Sequence, residues 1–86
     1  MTNDEKIMKK CLALGERAAK NGDVPVGCVI ADENGRIVAR AYNRREADGD
    51  PVAHAEILAL RKAGRKLRLK NLSGYTLYVT LEPCVM

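Results

Sequence analysis

Two short stretches dominate the interpretation of this sequence: Asp50-Pro51-Val52-Ala53-His54-Ala55-Glu56 in its middle and Glu82-Pro83-Cys84-Val85-Met86 at its end. Asp50 before Pro51 predicts a helix start, with the aspartate as N-cap and the proline at the first helical position. His54 and Glu56 then fall in the first two turns of that helix. Imidazole nitrogen and cysteine thiolate are both zinc ligands, and catalytic zinc takes three protein ligands plus a water. His54 and Cys84 therefore indicate most of a catalytic metal centre.

The spacing of His54 and Glu56 sets a geometric condition on that centre. Residues two apart do not share a face of a helix. Helical side chains tilt toward the N-terminal end, so both side chains can reach one point only if that point lies near the start of the helix. The metal is therefore expected at the N-terminus of this helix.

The rest of the chain predicts a layered α/β unit with the order helix, strand, strand, helix, strand. The predicted elements are a helix from Thr2 to Asn21, strands at 24–31, 36–42 and 75–81, and a helix that begins at Pro51. A turn is predicted at Asp32–Gly35, between the first two strands. Thr2 and Glu5 have the spacing of a capping box, and Asn21-Gly22 is a stop signal. We expect Pro83 to end the third strand, where it could begin another helix, leaving a three-stranded sheet with an open edge.

The apolar residues of the two helices define their expected buried sides. In the first helix they are Ile7, Met8, Cys11, Leu12, Leu14, Ala18 and Ala19. In the second they are Ile57, Leu58, Leu60 and Ala63. Helical spacing places each set on one side of its helix, so both sets are predicted to pack against the sheet.

Composition limits the classes of protein to which the chain can belong. It has 86 residues, three Tyr, no Phe or Trp, and a formal charge of +4, which predicts one small domain with an aliphatic core. The three cysteines are odd in number and widely spaced, unlike a disulfide framework. The first five residues are polar and no apolar run is long enough to span a membrane. We expect a cytoplasmic protein that does not bind membranes.

Several residues leave two interpretations open. Cys11 and Cys28 are either small buried hydrophobes or reactive thiols, and burial is favoured. Asn43, at the end of the second strand, is either a turn former or a ligand-binding residue. The basic run Arg61–Lys70 is either a solvated helix end or a surface that tracks phosphates.

The combined motifs resemble one family. Residues 24–27 (Val-Pro-Val-Gly), 50–56 and 77–86 are similar to the N-terminal half of the bacterial tRNA-specific adenosine deaminases, and the H-x-E…P-C-x-x-C signature is known for zinc deaminases of bases. The wider cytidine deaminase-like superfamily shares His-Ala-Glu and Pro-Cys. Guanine deaminases also share the Asp-Pro lead-in, so the substrate is less firmly indicated than the superfamily.

The resemblance implies a fold, a reaction and a set of roles. It implies a cytidine deaminase-like fold and zinc-dependent hydrolytic deamination of adenosine to inosine at the tRNA wobble position. The metal ligands would be His54 and Cys84, and the proton shuttle Glu56. Asn43 would contact the base, in a pocket lined by Val24 and Pro25. The partner would be a tRNA anticodon loop, and the full-length family implies a homodimer.

One part of the family pattern falls beyond the sequence. The family has a second cysteine three residues after Cys84, which would be position 87, and neither Cys11 nor Cys28 has the spacing to replace it. Residues 1–86 are therefore expected to form the N-terminal portion of a deaminase domain and to be inactive on their own. Two alternatives stay open: a deaminase of free bases such as guanine, and a non-catalytic fragment that needs a partner chain.

Overall fold

The computed structural model describes residues 2–44, 54–67 and 73–80, together with the backbone of 83–85. Its elements are α1 (Asn3–Lys20), β1 (Gly27–Ala31), β2 (Ile37–Tyr42), α2 (Ala55–Leu67), β3 (Thr76–Val79) and β4 (Pro83–Val85). The predicted α/β class and the order helix, strand, strand, helix, strand are confirmed through β3. No helix in the described ranges is long and apolar enough to cross a membrane.

The strands form one antiparallel sheet in the order β2-β1-β3-β4. Cys28 of β1 lies opposite Ala41 of β2 on one side and opposite Val79 of β3 on the other. The sequence predicted that the chain leaves the sheet at Pro83. Pro83 instead begins the short edge strand β4, whose Cys84 pairs with Leu77. A proline is compatible with a strand start and a sheet edge, because its missing N–H is not needed there.

The β1–β2 connection forms as the sequence predicts. The Asp32 carboxylate accepts hydrogen bonds from the backbone N–H groups of Asn34 and Arg36, both at 2.9 Å. Gly35 has a φ of 79°, a left-handed conformation that glycine adopts without strain. This turn fixes the register in which β2 returns along β1.

Helix α1 packs on one face of the sheet. Thr2 is its N-cap and accepts a hydrogen bond from the Glu5 N–H at 3.2 Å, as predicted. Its buried residues are Ile7, Cys11, Leu14, Gly15 and Ala18. Leu12 is 51% exposed, so the predicted apolar stripe was too wide. A Cβ on Gly15 would lie 2.7 Å from the Pro25 carbonyl oxygen, which shows how closely α1 approaches the start of β1.

Helix α2 packs on the opposite face through small side chains. Its buried residues are Ala55, Ala59 and Ala63, which recur every four positions and so share one side of the helix. Of the predicted apolar side, Ala63 is buried, Leu58 and Leu60 are half-buried, and Ile57 is 37% exposed. The buried face of α2 is therefore rotated toward Ala55 and Ala59, which the sequence interpretation did not include.

β1 separates the two layers of the core. Cys28 and Ile30 belong to the cluster under α2, whereas Val29 and Ala31 belong to the cluster under α1. All five residues of β1 are buried, as expected for a strand covered on both faces. The sheet thus lies between the two helices, and the site residues gather at one of its ends.

Candidate metal and base-binding site

The start of α2 is held by a side chain from another element. Asn43, just after β2, is 5% exposed, and its Oδ1 accepts a hydrogen bond from the Ala55 N–H at 2.7 Å. This N–H is one of the first-turn donors that a helix leaves without an internal partner. The His54 carbonyl accepts the N–H of Leu58 at 2.9 Å, so the helical hydrogen bonds begin there. The predicted N-cap Asp50 and first helical residue Pro51 lie outside the described residues.

The contact between Asn43 and Ala55 places one predicted site residue beside the segment that carries two others. Ala55 lies between His54 and Glu56 in the chain, so the Asn43 amide lies next to the backbone from which both of these side chains project. His54 is half-buried and Glu56 is exposed. The sequence suggested a turn former or a ligand residue for Asn43, and the structure adds a third role, that of capping α2.

The segment before β1 lies beside the same residues. The Val26 carbonyl accepts a hydrogen bond from the Asn43 N–H at 3.1 Å, which extends the β1–β2 pairing by one step. Val24 is 61% exposed, and Pro25 is exposed as well. Both are therefore near Asn43 and accessible to a ligand, while their predicted role in lining a base pocket stays a prediction.

Thr80 is a positioning residue that the sequence interpretation missed. Its hydroxyl accepts the Gly27 N–H at 2.8 Å, and its own N–H donates to the Gly27 carbonyl at 3.1 Å. These bonds fasten the end of β3 to the start of β1, immediately before the segment that leads to Cys84. Threonine is common in strands because of its β propensity, so its presence at the end of β3 gave no sign of these hydrogen bonds.

The second predicted ligand is described only in part. The backbone of Cys84 pairs with Leu77, and its side chain lies outside the described residues. The predicted approach of the His54 nitrogen and the Cys84 sulfur to roughly 3–4 Å, as for two ligands of one zinc ion, stays a prediction. Among the side chains that the structure describes, no three of the His, Cys, Asp and Glu type come together.

The other two cysteines are buried thiols. Cys11 and Cys28 are both 0% exposed. Burial raises the pKa of Cys11 to about 11. Burial, followed by the charges of Cys11 and Glu56, raises the pKa of Cys28 to about 12. Because metal ligation requires the thiolate, these protonated thiols are poor ligands, and the favoured interpretation of both as buried hydrophobes is confirmed by their exposure.

The available donors suit zinc in chemical type. Zinc takes imidazole nitrogen and thiolate sulfur in tetrahedral sites, and His54 with Cys84 would offer one of each. The N-terminal end of α2 adds the positive end of a helix dipole, which favours negative charge nearby. The Asn43 amide lies beside this helix start, and the roles of His54 and Cys84 as metal ligands stay predictions.

Comparison with known protein families agrees with these motifs. The profile of the cytidine and deoxycytidylate deaminase zinc-binding region matches residues 1–86. The chain is 49% identical over 82 residues to a tRNA-specific adenosine deaminase of Aquifex aeolicus, covering 95% of this chain and 54% of that protein. It is 46% identical to the tRNA-specific adenosine deaminase of Bacillus subtilis, covering all of this chain and 53% of that protein. The chain thus spans about half the length of these curated relatives.

Solved structures show the same similarity in three dimensions. A structure from work on A-to-I editing by tRNA:A34 deaminases superposes with a TM-score of 0.86 at 38% identity, covering 96% of this chain and 63% of that one. A guanine deaminase from Bacillus subtilis superposes with a TM-score of 0.84 at 36% identity, covering 96% of this chain and 53% of that one. The two superpose almost equally well, so the fold alone does not choose between their substrates.

Proposed function

We propose that this chain, which belongs to the family of the cytidine and deoxycytidylate deaminase zinc-binding region, acts in the hydrolytic deamination of adenosine to inosine at the wobble position of tRNA. The observation that supports the proposal is the bond between Asn43 and Ala55, which holds the Asn43 amide next to the segment that carries His54 and Glu56. Zinc is the metal expected of this family.

His54 and Cys84 are the proposed metal ligands. When bound there, zinc would supply the Lewis acidity that makes a water molecule acidic near neutral pH. His54 is half-buried and lies immediately before α2, where its backbone carbonyl accepts the Leu58 N–H at 2.9 Å and so fixes the backbone of His54 at the helix start.

Glu56 is the proposed proton carrier. Its carboxylate would accept the proton of the attacking water, pass it to a ring nitrogen of the base, and then help the amine leave as ammonia. The balance is one water consumed, one ammonia released, and adenosine converted to inosine. Glu56 lies in the first turn of α2 and is exposed, so its carboxylate is accessible to a base that approaches from solvent.

Asn43 is the proposed base-contacting residue. Its Oδ1 is engaged by the Ala55 N–H at 2.7 Å, so the contact to a base falls to its amide N–H donors. A purine presents acceptors that such donors can bind. Val24 and Pro25, exposed next to Asn43 through Val26, are the proposed apolar wall for the ring.

Guanine is the second candidate substrate, because the guanine deaminase superposes nearly as well. The two candidates make opposite predictions for one assay. The protein as its gene encodes it is incubated with an anticodon stem-loop RNA that carries adenosine at the wobble position, and separately with free guanine. Inosine in the RNA without xanthine supports the proposal, and xanthine without inosine replaces it by guanine deamination.

Two further aspects of the proposal concern the molecule as a whole. The relatives are named for tRNA, so the proposed partner is a tRNA anticodon loop, and the proposed compartment is the cytoplasm. We also propose a homodimer. Failure of both deamination reactions with zinc-loaded protein would favour the third interpretation, a non-catalytic chain that works through a partner.

A further inference from the structure

A row of cationic side chains follows the outer edge of the sheet. Three adjoining depressions run around β2, the edge strand. Arg40 lines all three, and Leu14, Arg17, Ile37 and Lys62 each line two of them. Six basic side chains from three parts of the chain line them, and we call these the basic groove: Lys10, Arg17, Arg40, Arg44, Lys62 and Lys66. None of the described residues that line these depressions is acidic.

The groove is assembled from both sides of the sheet. Lys10 and Arg17 come from α1 on one face, and Lys62 and Lys66 from α2 on the other. The Lys62 ammonium crosses toward β2 and donates to the Arg40 carbonyl at 2.9 Å. The cations therefore meet across an outer strand edge instead of being spread over the surface, which concentrates positive potential along one line.

The basic run that the sequence left undecided is divided by this arrangement. Lys62 and Lys66 line the groove, whereas Arg61 and Arg65 are absent from its lining. Arg65 donates instead to the Arg61 carbonyl of its own helix at 3.3 Å. The described part of the run thus has one side that matches a solvated helix and another that contributes to the groove.

An aromatic ring and two guanidinium groups lie where the groove meets the candidate site. The guanidinium carbons of Arg17 and Arg44 lie 5.1 and 5.5 Å from the ring centroid of Tyr42. Arg44 also donates to the Tyr42 hydroxyl at 2.9 Å. Arg44 follows Asn43 directly in the chain. Leu58, whose N–H donates to the His54 carbonyl, lines the same depression as Arg44, so the groove reaches the start of α2.

We infer that the basic groove binds the sugar-phosphate backbone of the RNA whose base occupies the site at Asn43 and His54. The inference rests on the proposed function for the identity of that RNA. A strand of six residues extends roughly 20 Å, a length over which a nucleic-acid backbone presents more than one phosphate. The groove is thus long enough to contact successive phosphates.

Charge argues against a second copy of the chain on this edge. An edge strand can pair with another strand, and lysine on the edge is one way in which proteins prevent it. Two copies joined through β2 would bring two sets of Arg40, Lys62 and Lys66 together, and like charges would oppose the contact. A polyanion gains from the same charges, because binding releases the counterions of its phosphates.

The test compares two double variants of α2 with equal loss of charge. Lys62→Gln/Lys66→Gln removes two groove cations, and Arg61→Gln/Arg65→Gln removes two cations that do not line the groove. Binding of an anticodon stem-loop RNA is measured over a range of salt concentrations. Log K falls as log salt rises, and each lost phosphate contact makes this negative slope shallower by about 1. We expect the slope of the groove variant to be shallower than that of wild type by about 2, and the slope of the control variant to equal that of wild type.

Two additions make the outcome independent of folding and of catalysis. Because Lys62 also bonds to the Arg40 carbonyl, Lys10→Gln/Arg17→Gln on α1 serves as a second groove variant, and circular dichroism checks each fold. An RNA with guanosine at the wobble position tests binding without deamination. Unchanged slopes in both folded groove variants overturn the inference and would favour an acidic protein partner for the groove. Reduced slopes without inosine from wild type would uphold the groove and reject the proposed function.

Discussion

The two faces of the sheet are packed by different means. Under α1 the core contains larger side chains, among them Ile7, Leu14 and Tyr78. Under α2 every buried helix residue in the described range is an alanine. Small residues bring a helix backbone closer to the strands it covers. The comparison indicates that large side chains hold α1 on its face of the sheet. The alanines of α2 allow a close approach to the other face, which positions the N-terminus of α2.

That difference agrees with where the candidate site lies. At the start of α2 the Ala55 N–H donates to the side-chain Oδ1 of the buried Asn43, and Thr80 joins the end of β3 to the start of β1. The start of α1, by contrast, is capped by Thr2, which is exposed. Changes to the α1 face should therefore reduce stability, whereas changes to the α2 face should also disturb the site.

The largest expected effect separates the two packing modes. Ile7→Ala, which leaves a cavity under α1, should cost about 2–5 kcal/mol of unfolding free energy. Ala59→Leu, which overfills the close contact under α2, should cost about 1–3 kcal/mol. Denaturant unfolding measures both. Below its melting transition the Ile7 variant should keep the wild-type KM for the proposed RNA substrate, and the Ala59 variant should not. Equal KM values in the two folded variants would contradict the functional difference between the faces.

The next effect concerns matched carboxylates on the two helices. Glu56→Gln should lower deamination by about 100-fold or more, because the amide cannot carry the proton, while zinc content stays at the wild-type level. Glu16→Gln, an exposed change of the same chemistry on α1, should leave both unchanged. Kinetics and metal analysis on the same preparations test this. Loss of zinc in the Glu56 variant would make this residue a ligand and the proposed proton path wrong.

Asn43 allows its capping and base-contacting roles to be separated. Asn43→Ala removes the acceptor of the Ala55 N–H and should cost about 0.5–2 kcal/mol of stability, as for a lost helix cap. Asn43→Asp keeps an acceptor oxygen there but loses the amide donors, so it should keep most of the stability and raise KM. Thermal unfolding and steady-state kinetics measure the two effects. An aspartate variant with wild-type KM would leave Asn43 with the capping role alone.

The smallest expected effect belongs to a hydrogen bond between α1 and the sheet. The Tyr78 hydroxyl donates to the Asp4 carboxylate at 2.6 Å. This bond, with burial, raises the pKa of Tyr78 to about 12. The unfolded phenol ionises near 10, so the stabilisation is complete below about pH 10 and is lost as pH rises toward 12.

Tyr78→Phe tests that bond without touching the site. It should cost about 1 kcal/mol at neutral pH and should flatten the decline of stability between about pH 10 and 12. Unfolding measured across this alkaline range gives both values. A decline as steep as that of wild type would assign it to a different group.

The residues also show how far the sequence alone determines the structure. Signals that depend on local chemistry were sufficient for the cap at Thr2 and the turn at Asp32, which fall where they were expected. His54 was expected inside the first turns of its helix and lies immediately before α2 instead. The prediction for the buried face of α2 was wrong because the large aliphatic residues Ile57, Leu58 and Leu60 are more hydrophobic than Ala59 and so dominate the pattern. Pro83 was read as the end of a strand because a proline is compatible with both a strand start and a strand end.

Tertiary contacts account for what the sequence could not provide. The bonds from Asn43 to Ala55 and from Thr80 to Gly27 join residues that are 12 and 53 positions apart. No local pattern marks such pairs, since asparagine and threonine at strand ends are common in any sheet. Likewise the basic groove combines cations of two helices and a strand, and only Lys62 and Lys66 belong to the basic run that the sequence made visible.

The most direct test of the account is the zinc content of two cysteine variants. Cys84→Ser and Cys28→Ser are prepared in the protein as its gene encodes it, and zinc per chain is measured by mass spectrometry after dialysis. Cys84 is a proposed ligand, whereas Cys28 is a buried thiol whose raised pKa of about 12 disfavours the thiolate. We expect the Cys84 variant to lose its zinc and the Cys28 variant to retain it. Zinc retained without Cys84 and lost without Cys28 would contradict the proposed metal centre.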